Sequence, residues 1–188
     1  ERPLRNPDEG RYAELAREMV ASHDWVRPTV FGLGYLAKPP LFYWLVSGSF
    51  KLFGESETSA RAVPAFFSLL GVLFIFFFAR RYFDEESALG ASLILASNAW
   101  VVQVGRYLII DAVFSFFLMG SLLLFYAAFH SERRRRQLFV LFYLFLALAL
   151  LTKGLAALAI VGSCIFFYFV FTRRFREWPR LHFLTGAL

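Results

Sequence analysis

Cysteine is almost missing from these 188 residues: Cys164 stands alone, inside an apolar run. One thiol makes neither a disulfide framework nor a thiolate metal site. A charged n-region leading into a short apolar segment is missing as well, so no signal peptide is visible. With Glu1 in front and an apolar stretch at 181–188, the chain reads as an internal piece of a longer protein. Also lacking is the steady interleaving of polar residues that a soluble domain of this length needs around its core. In its place stand 59% hydrophobic residues, 25 of the total being Phe, with a mean hydropathy of +0.56. They gather into long unbroken runs, the mark of an all-α, polytopic membrane protein.

The formal net charge is +6, but the basic residues sit in short clusters between apolar runs. That arrangement reports topology and does not describe a nucleic-acid-binding surface, so no nucleic acid is expected as a partner. Runs long enough to cross about 30 Å of hydrocarbon fall at 62–78, 88–104, 108–129, 138–151 and 155–171, with the start of another at the end. The clusters Arg80-Arg81, Arg133–Arg136 and Arg173, Arg174, Arg176, Arg180 lie between alternate pairs of spans, so all three face one side. The positive-inside rule makes that side cytoplasmic. Two regions follow: an extracytoplasmic loop over 1–60 and a transmembrane bundle over 61–188.

The 1–60 loop carries seven Lys/Arg and eight Asp/Glu and is too long to be a turn. Long loops of this kind are where function concentrates. Tyr12, Leu15, Ala16, Met19 and Val20 follow helical spacing, with Arg11, Glu14, Arg17 and Glu18 on the opposite face. A second apolar segment, 41–53, is too short to span and is rich in aromatics. Both helices suit the membrane interface, joined by 23–40, with Pro39 and Pro40 starting the second.

The first helix is expected to begin as a capping box, with Asn6 as N-cap, Pro7 at the first helical position and Glu9 reaching back. Asp8 is left over by that pattern. Its carboxylate is either an ordinary helix-start acid or a general base or ligand, and the helix dipole favours the charged form that either chemistry requires. Lys38 before Pro39-Pro40 is either a solvated or lipid-contacting lysine or a cation for a phosphate. Asp111 lies inside an apolar run, where an unpaired charge is costly, and an Arg106–Asp111 ion pair is the structural alternative to a site. Asp8, Lys38, Arg106, Asp111 and Lys153 all fall on one face of the membrane. That combination suits a lipid-linked phosphate and an acid–base step.

The stretches "NPDEGRYAELAREMVASHDWV", "GLGYLAKPPLFYW", "GRYLIID" and "LTKG", in this order and spacing, resemble the bacterial dolichyl-phosphate-mannose–protein mannosyltransferase-like family, which includes the lipid A aminoarabinose transferases. The resemblance implies a GT-C type glycosyltransferase that takes a sugar from a polyprenyl phosphate and gives it to a lipid A, glycan or protein acceptor. It implies a catalytic role for Asp8 and Asp111, donor-phosphate binding by Lys38, Arg106, Lys153 and Arg11, and supporting roles for Glu9, Tyr12 and Tyr35. No cofactor is fixed by it, although a divalent metal at Asp8 and Glu9 is compatible. Two departures bear on sugar and acceptor: Ala37 stands where the lipid A enzymes carry glutamate, and Lys-Pro-Pro replaces the His-Pro-Pro of the eukaryotic members. The expected location is the inner membrane, with the first loop on the periplasmic side. The competing reading is a transporter or flippase for a lipid-linked substrate, in which Arg106, Asp111 and Lys153 line a path.

Overall fold

The computed structural model describes residues 3–4 and 7–173. The chain forms two compact units, Glu1–Phe116 and Phe117–Leu188.

The first unit opens with α1 (Asp8–Ser22), in which Tyr12, Leu15, Ala16 and Met19 are buried as the spacing predicts. Their cover is α2 (Leu41–Phe53), whose Phe42, Tyr43 and Val46 are fully enclosed. Tyr12 meets Phe42 edge-on, with ring centroids 5.4 Å apart, and the Ser47 hydroxyl donates to the Ala16 carbonyl at 3.0 Å. The apolar face of α1 is therefore occupied by protein. Asn6 lies outside the described residues. Pro7 occupies the N-cap position and makes no side-chain cap, so Asp8 and Glu9 are the first two helical residues, one place earlier in the helix than the capping box requires.

Between α1 and α2 the expected plain connection contains a short hairpin, β1 (Thr29–Val30) paired antiparallel with β2 (Leu33–Gly34). Its turn residues Phe31 and Gly32 both have positive φ, 52° and 75°, the combination a two-residue hairpin turn matched to strand twist demands. The Glu18 carboxylate closes it from α1, accepting the N–H groups of Phe31 and Gly32 and the Thr29 hydroxyl.

α3 (Glu57–Tyr82) is the first helix long and apolar enough to cross a membrane. A reciprocal cap between Ser56 and Ser59 starts it, five residues before the apolar run itself begins. α4 (Glu85–Ser97) and α5 (Ala99–Arg106) replace the single span expected at 88–104. They meet at 57° and pass for one span only when taken as a bent pair. Asn98 causes the break: its Oδ1 accepts the N–H groups of Trp100 and Val101 at 2.9 and 3.3 Å, capping a new helix. Against α3, α5 comes close. A Cβ on Gly105 would sit 2.8 Å from the Ser68 hydroxyl oxygen, so any larger residue would force Ser68 or the helices to shift.

α6 (Asp111–Phe129) starts three residues later than the apolar run, because Leu108–Ile110 are not helical. Asp111 is thus the first residue of the helix. It stands at the N-terminal end of that helix and not a turn inside a span, which corrects the expectation, because the three apolar residues before it are not helical.

In the second unit, α7 (Arg135–Lys153) runs longer than the apolar stretch at both ends and stops at Gly154, which has φ 67°. α8 (Ala156–Thr172) is apolar throughout. Phe125, Phe129, Tyr168 and Phe169 interlock edge-to-face between α6 and α8, with centroids 5.6–6.4 Å apart. The basic cluster beyond Arg173 and the apolar stretch at 181–188 lie outside the described residues.

Candidate functional site

Glu9 holds the site in place. Only 2% exposed, it receives Arg61 from α3 in a two-pronged pair, Nε to Oε1 and Nη2 to Oε2, both at 3.0 Å. Oε1 also accepts the Leu108 N–H at 2.7 Å, from the segment that leads into α6. A carboxylate so enclosed is tolerable only because both oxygens are bonded and its charge is matched. The interaction ties α1, α3 and the start of α6 together. Glu9 is therefore a cross-brace, not the reciprocal partner of a capping box.

Anchoring Glu9 fixes its neighbour. Asp8 is exposed, with its side chain paired to Arg11 one turn along α1. The Arg11 guanidinium lies 5.6 Å from the ring centroids of both Tyr12 and Tyr35, a position cations favour. Its Nε is buried without a hydrogen-bond partner among the described residues. Tyr35 is fixed by its N–H donating to the Pro28 carbonyl at 2.8 Å. Burial first, and the Asp8 charge second, push the Tyr12 phenol above its ordinary pKa. Burial also pushes Tyr43 up. Both phenols are consequently neutral donors at physiological pH.

A cleft of about 250 Å³ opens beside Asp8 and Glu9, walled by Trp100, Gln103, Val104, Tyr107 and Ile109. Gln103 and Tyr107 also line an adjoining groove of about 320 Å³ that includes the exposed Arg106. The break at Asn98 turns α5 so that this wall is a separate short helix with its own direction.

Of the residues singled out from the sequence, the first unit gathers Asp8, Glu9, Arg11, Tyr12 and Tyr35 into one cluster. Arg106 belongs to the neighbouring groove, and among the described residues it forms no ion pair. Lys38 is half-buried, three residues after Tyr35, and Asp111 is half-buried at the head of α6. Lys153 ends α7 in the second unit. In the metal pair considered for Asp8 and Glu9, Glu9 does not fit as a ligand, because its oxygens are held by Arg61 and Leu108. Among the described residues no three His, Cys, Asp or Glu side chains converge.

Arg61, Trp100, Gln103 and Tyr107 escaped the sequence reading. Arg61 did leave a signal, since a cation at the threshold of an apolar span calls for a partner. The cleft-wall residues left none, because only the bend at Asn98 puts them opposite Asp8.

Residues 37–188 match the family described as dolichyl-phosphate-mannose-protein mannosyltransferase. Over 183 residues the chain is 37% identical to the undecaprenyl phosphate-alpha-4-amino-4-deoxy-L-arabinose arabinosyl transferase of Aeromonas hydrophila, a match that covers 96% of this chain and 34% of that protein. The protein of the same name from Pseudomonas aeruginosa is 33% identical over 174 residues, covering 91% of this chain and 32% of its own length. The crystal structure of ArnT from Cupriavidus metallidurans in the apo state superimposes with a TM-score of 0.95 at 33% identity, over 99% of this chain and 35% of that one. The structure of the same protein bound to undecaprenyl phosphate gives 0.93 at 35% identity, with the same coverage. The chain spans about a third of the length of the relatives it matches.

Proposed function

The chain belongs to the dolichyl-phosphate-mannose-protein mannosyltransferase family, and from that membership we propose that it is the portion of a membrane glycosyltransferase that carries the acid–base residue and part of the phosphate site. The donor is a polyprenyl-phosphate sugar. The acceptor is a hydroxyl or phosphate of a lipid A-type glycolipid, another glycan or a protein. Curated relatives named as undecaprenyl phosphate aminoarabinose transferases, and a neighbour bound to undecaprenyl phosphate, support the donor class. The protein sits in the inner membrane, with the 1–60 segment on the extracytoplasmic side.

One observation carries the reading: Asp8 is exposed at a cleft while its neighbour Glu9 is locked into the fold. A general base needs that combination of access and fixed position. Asp8 takes the proton of the acceptor, the acceptor oxygen bonds to the sugar's anomeric carbon, and the bond from that carbon to the phosphate oxygen breaks. Polyprenyl phosphate leaves with the electron pair. Arg11, Lys38, Arg106 and Lys153 are the cations assigned to the growing phosphate charge, with Asp111 as a second carboxylate. Tyr12 and Tyr35 support Arg11.

The location of Asp111 favours this reading over a transporter. At the head of α6, it does not mark a path through the depth of the spans. The deciding experiment replaces Asp8 by Asn in the full-length protein and assays sugar transfer in membranes supplied with polyprenyl-phosphate sugar. Undiminished transfer removes Asp8 from the mechanism.

A further inference from the structure

We infer that the hairpin and the end of α2 form a seat that inserts into the headgroup–acyl boundary of the bilayer. Six large apolar side chains there, Val26, Phe31, Leu33, Leu36, Leu52 and Phe53, are each between 73% and 86% exposed. Exposed apolar surface concentrated on one short loop and one helix end marks an interaction site.

The tip is also rigid and unusual in its chemistry. Phe31 occupies the left-handed region at φ 52°, where Gly or Asn is ordinarily found. The strain is maintained by the Glu18 carboxylate, which accepts the Phe31 and Gly32 N–H groups. A bulky ring is thus held outward at a position that disfavours it, and backbone strain of this type accumulates at binding elements.

Its depth follows from the chain. Phe53 precedes Glu57, the first residue of α3, by four residues, so the two lie within about 14 Å of each other at full extension. The hairpin loop is held to the same end of α2: the Lys51 ammonium lies 4.3 Å from the Trp25 ring centroid, and the Trp44 indole N–H donates to the Trp25 carbonyl at 2.7 Å. Leu52 and Phe53 therefore lie at the threshold of a membrane span, and the loop that carries the hairpin is tied to their helix through Trp25, Trp44 and Lys51. Tryptophan is the residue that populates this level of a bilayer.

The rim of the tip is charged. Arg27 and Lys51 are exposed beside the apolar tip, as are the acids Asp24 and Glu55, so the rim carries both signs of charge, while Glu18 sits in the hairpin clasp. An apolar tip with a charged rim is the chemistry of an interfacial anchor. The face of α1 that looked lipid-directed in sequence is excluded from this role, since α2 covers it.

The seat does not depend on the glycosyltransferase reading, but it would serve it. Tyr35 and Lys38 follow β2 directly, so a seated hairpin sets them at the level of a lipid phosphate.

The test uses the full-length protein with its other cysteines replaced by serine and single cysteines at Phe31→Cys or Leu33→Cys. Each is labelled with an environment-sensitive fluorophore and reconstituted in phosphatidylethanolamine–phosphatidylglycerol vesicles. Arg17→Cys on exposed α1 is the control. Lipids bearing a quencher near the headgroup should quench the hairpin labels at least about twofold more than the control, as expected for insertion to about 5–10 Å, and iodide in the water should quench them less. Free quenching by iodide with no lipid quenching overturns the proposal. Protection from both quenchers overturns it too, and identifies a protein surface as the cover. Sugar transfer is measured on the same samples, so a protein active without lipid contact disproves the seat alone.

Discussion

Arg61 and Glu9 stand 52 residues apart in sequence and meet as a two-pronged ion pair that is nearly sealed from solvent. Pairs of this kind are costly to break, because the surviving charge stays buried. Arg61→Met should destabilise the protein by about 3–5 kcal/mol, read as a lowered thermal midpoint in detergent. Adding Glu9→Gln removes the stranded charge and should recover part of the loss, so the two changes are non-additive. Independent, additive losses would show that the brace is not the unit described.

Asp8 lies one residue from that brace and should behave in the opposite way. Its pair with Arg11 is exposed, and exposed pairs contribute at most about 1 kcal/mol. Asp8→Asn should leave the thermal midpoint within that range while lowering sugar transfer by about a hundredfold or more. A fall in both together would assign Asp8 to folding.

The contact between Gly105 and Ser68 sets how closely α5 approaches α3. Gly105→Ala places a methyl 2.8 Å from the Ser68 hydroxyl oxygen and 3.1 Å from its Cβ. The expected cost is about 1–3 kcal/mol. Ser68→Ala alone should be close to neutral, because that hydroxyl is buried with no hydrogen-bond partner among the described residues. Combined with Gly105→Ala, it should restore only part of the stability, since the Cβ contact remains. Transfer activity should fall in step with stability, because α5 is the cleft wall.

Asp24 gives a pH signature. Its carboxylate accepts the backbone N–H groups of Arg27 and Val26, which holds its pKa below the ordinary value of 3.8. A lowered folded pKa means that the contribution is present above the unfolded value and is lost as pH falls through the lowered one. The stability difference between the parent protein and Asp24→Asn should therefore be constant from neutral pH down to about 5 and disappear in strong acid. A difference that grew on acidification would have the wrong sign for this assignment.

The membrane-spanning character was legible because an apolar run needs no partner to be recognised. α3, α6 and α7 announce themselves by length and composition, and α1 by its spacing. The break at Asn98 was hidden by the same reading: one asparagine hardly alters the composition of an apolar window, whereas its side chain can end one helix and cap the next. Glu9 was misread for a related reason. Local pattern explains an acid at a helix start by partners three residues away, and its real partners are Arg61 and the Leu108 amide, 52 and 99 residues distant. Asp8 remained visible because the local pattern left it over.

The bend between α4 and α5 has a consequence for wetting. Intact helices keep their backbone groups to themselves, but a break leaves peptide groups seeking partners, and hydrocarbon offers none. At Asn98 the side chain serves two amides, and the exposed residue is otherwise open to its surroundings. Acyl chains cannot be what surrounds it. Water, lipid headgroups or further protein must therefore meet Asn98, so the bend prescribes a polar neighbour at a point where the apolar composition of the segment announces none.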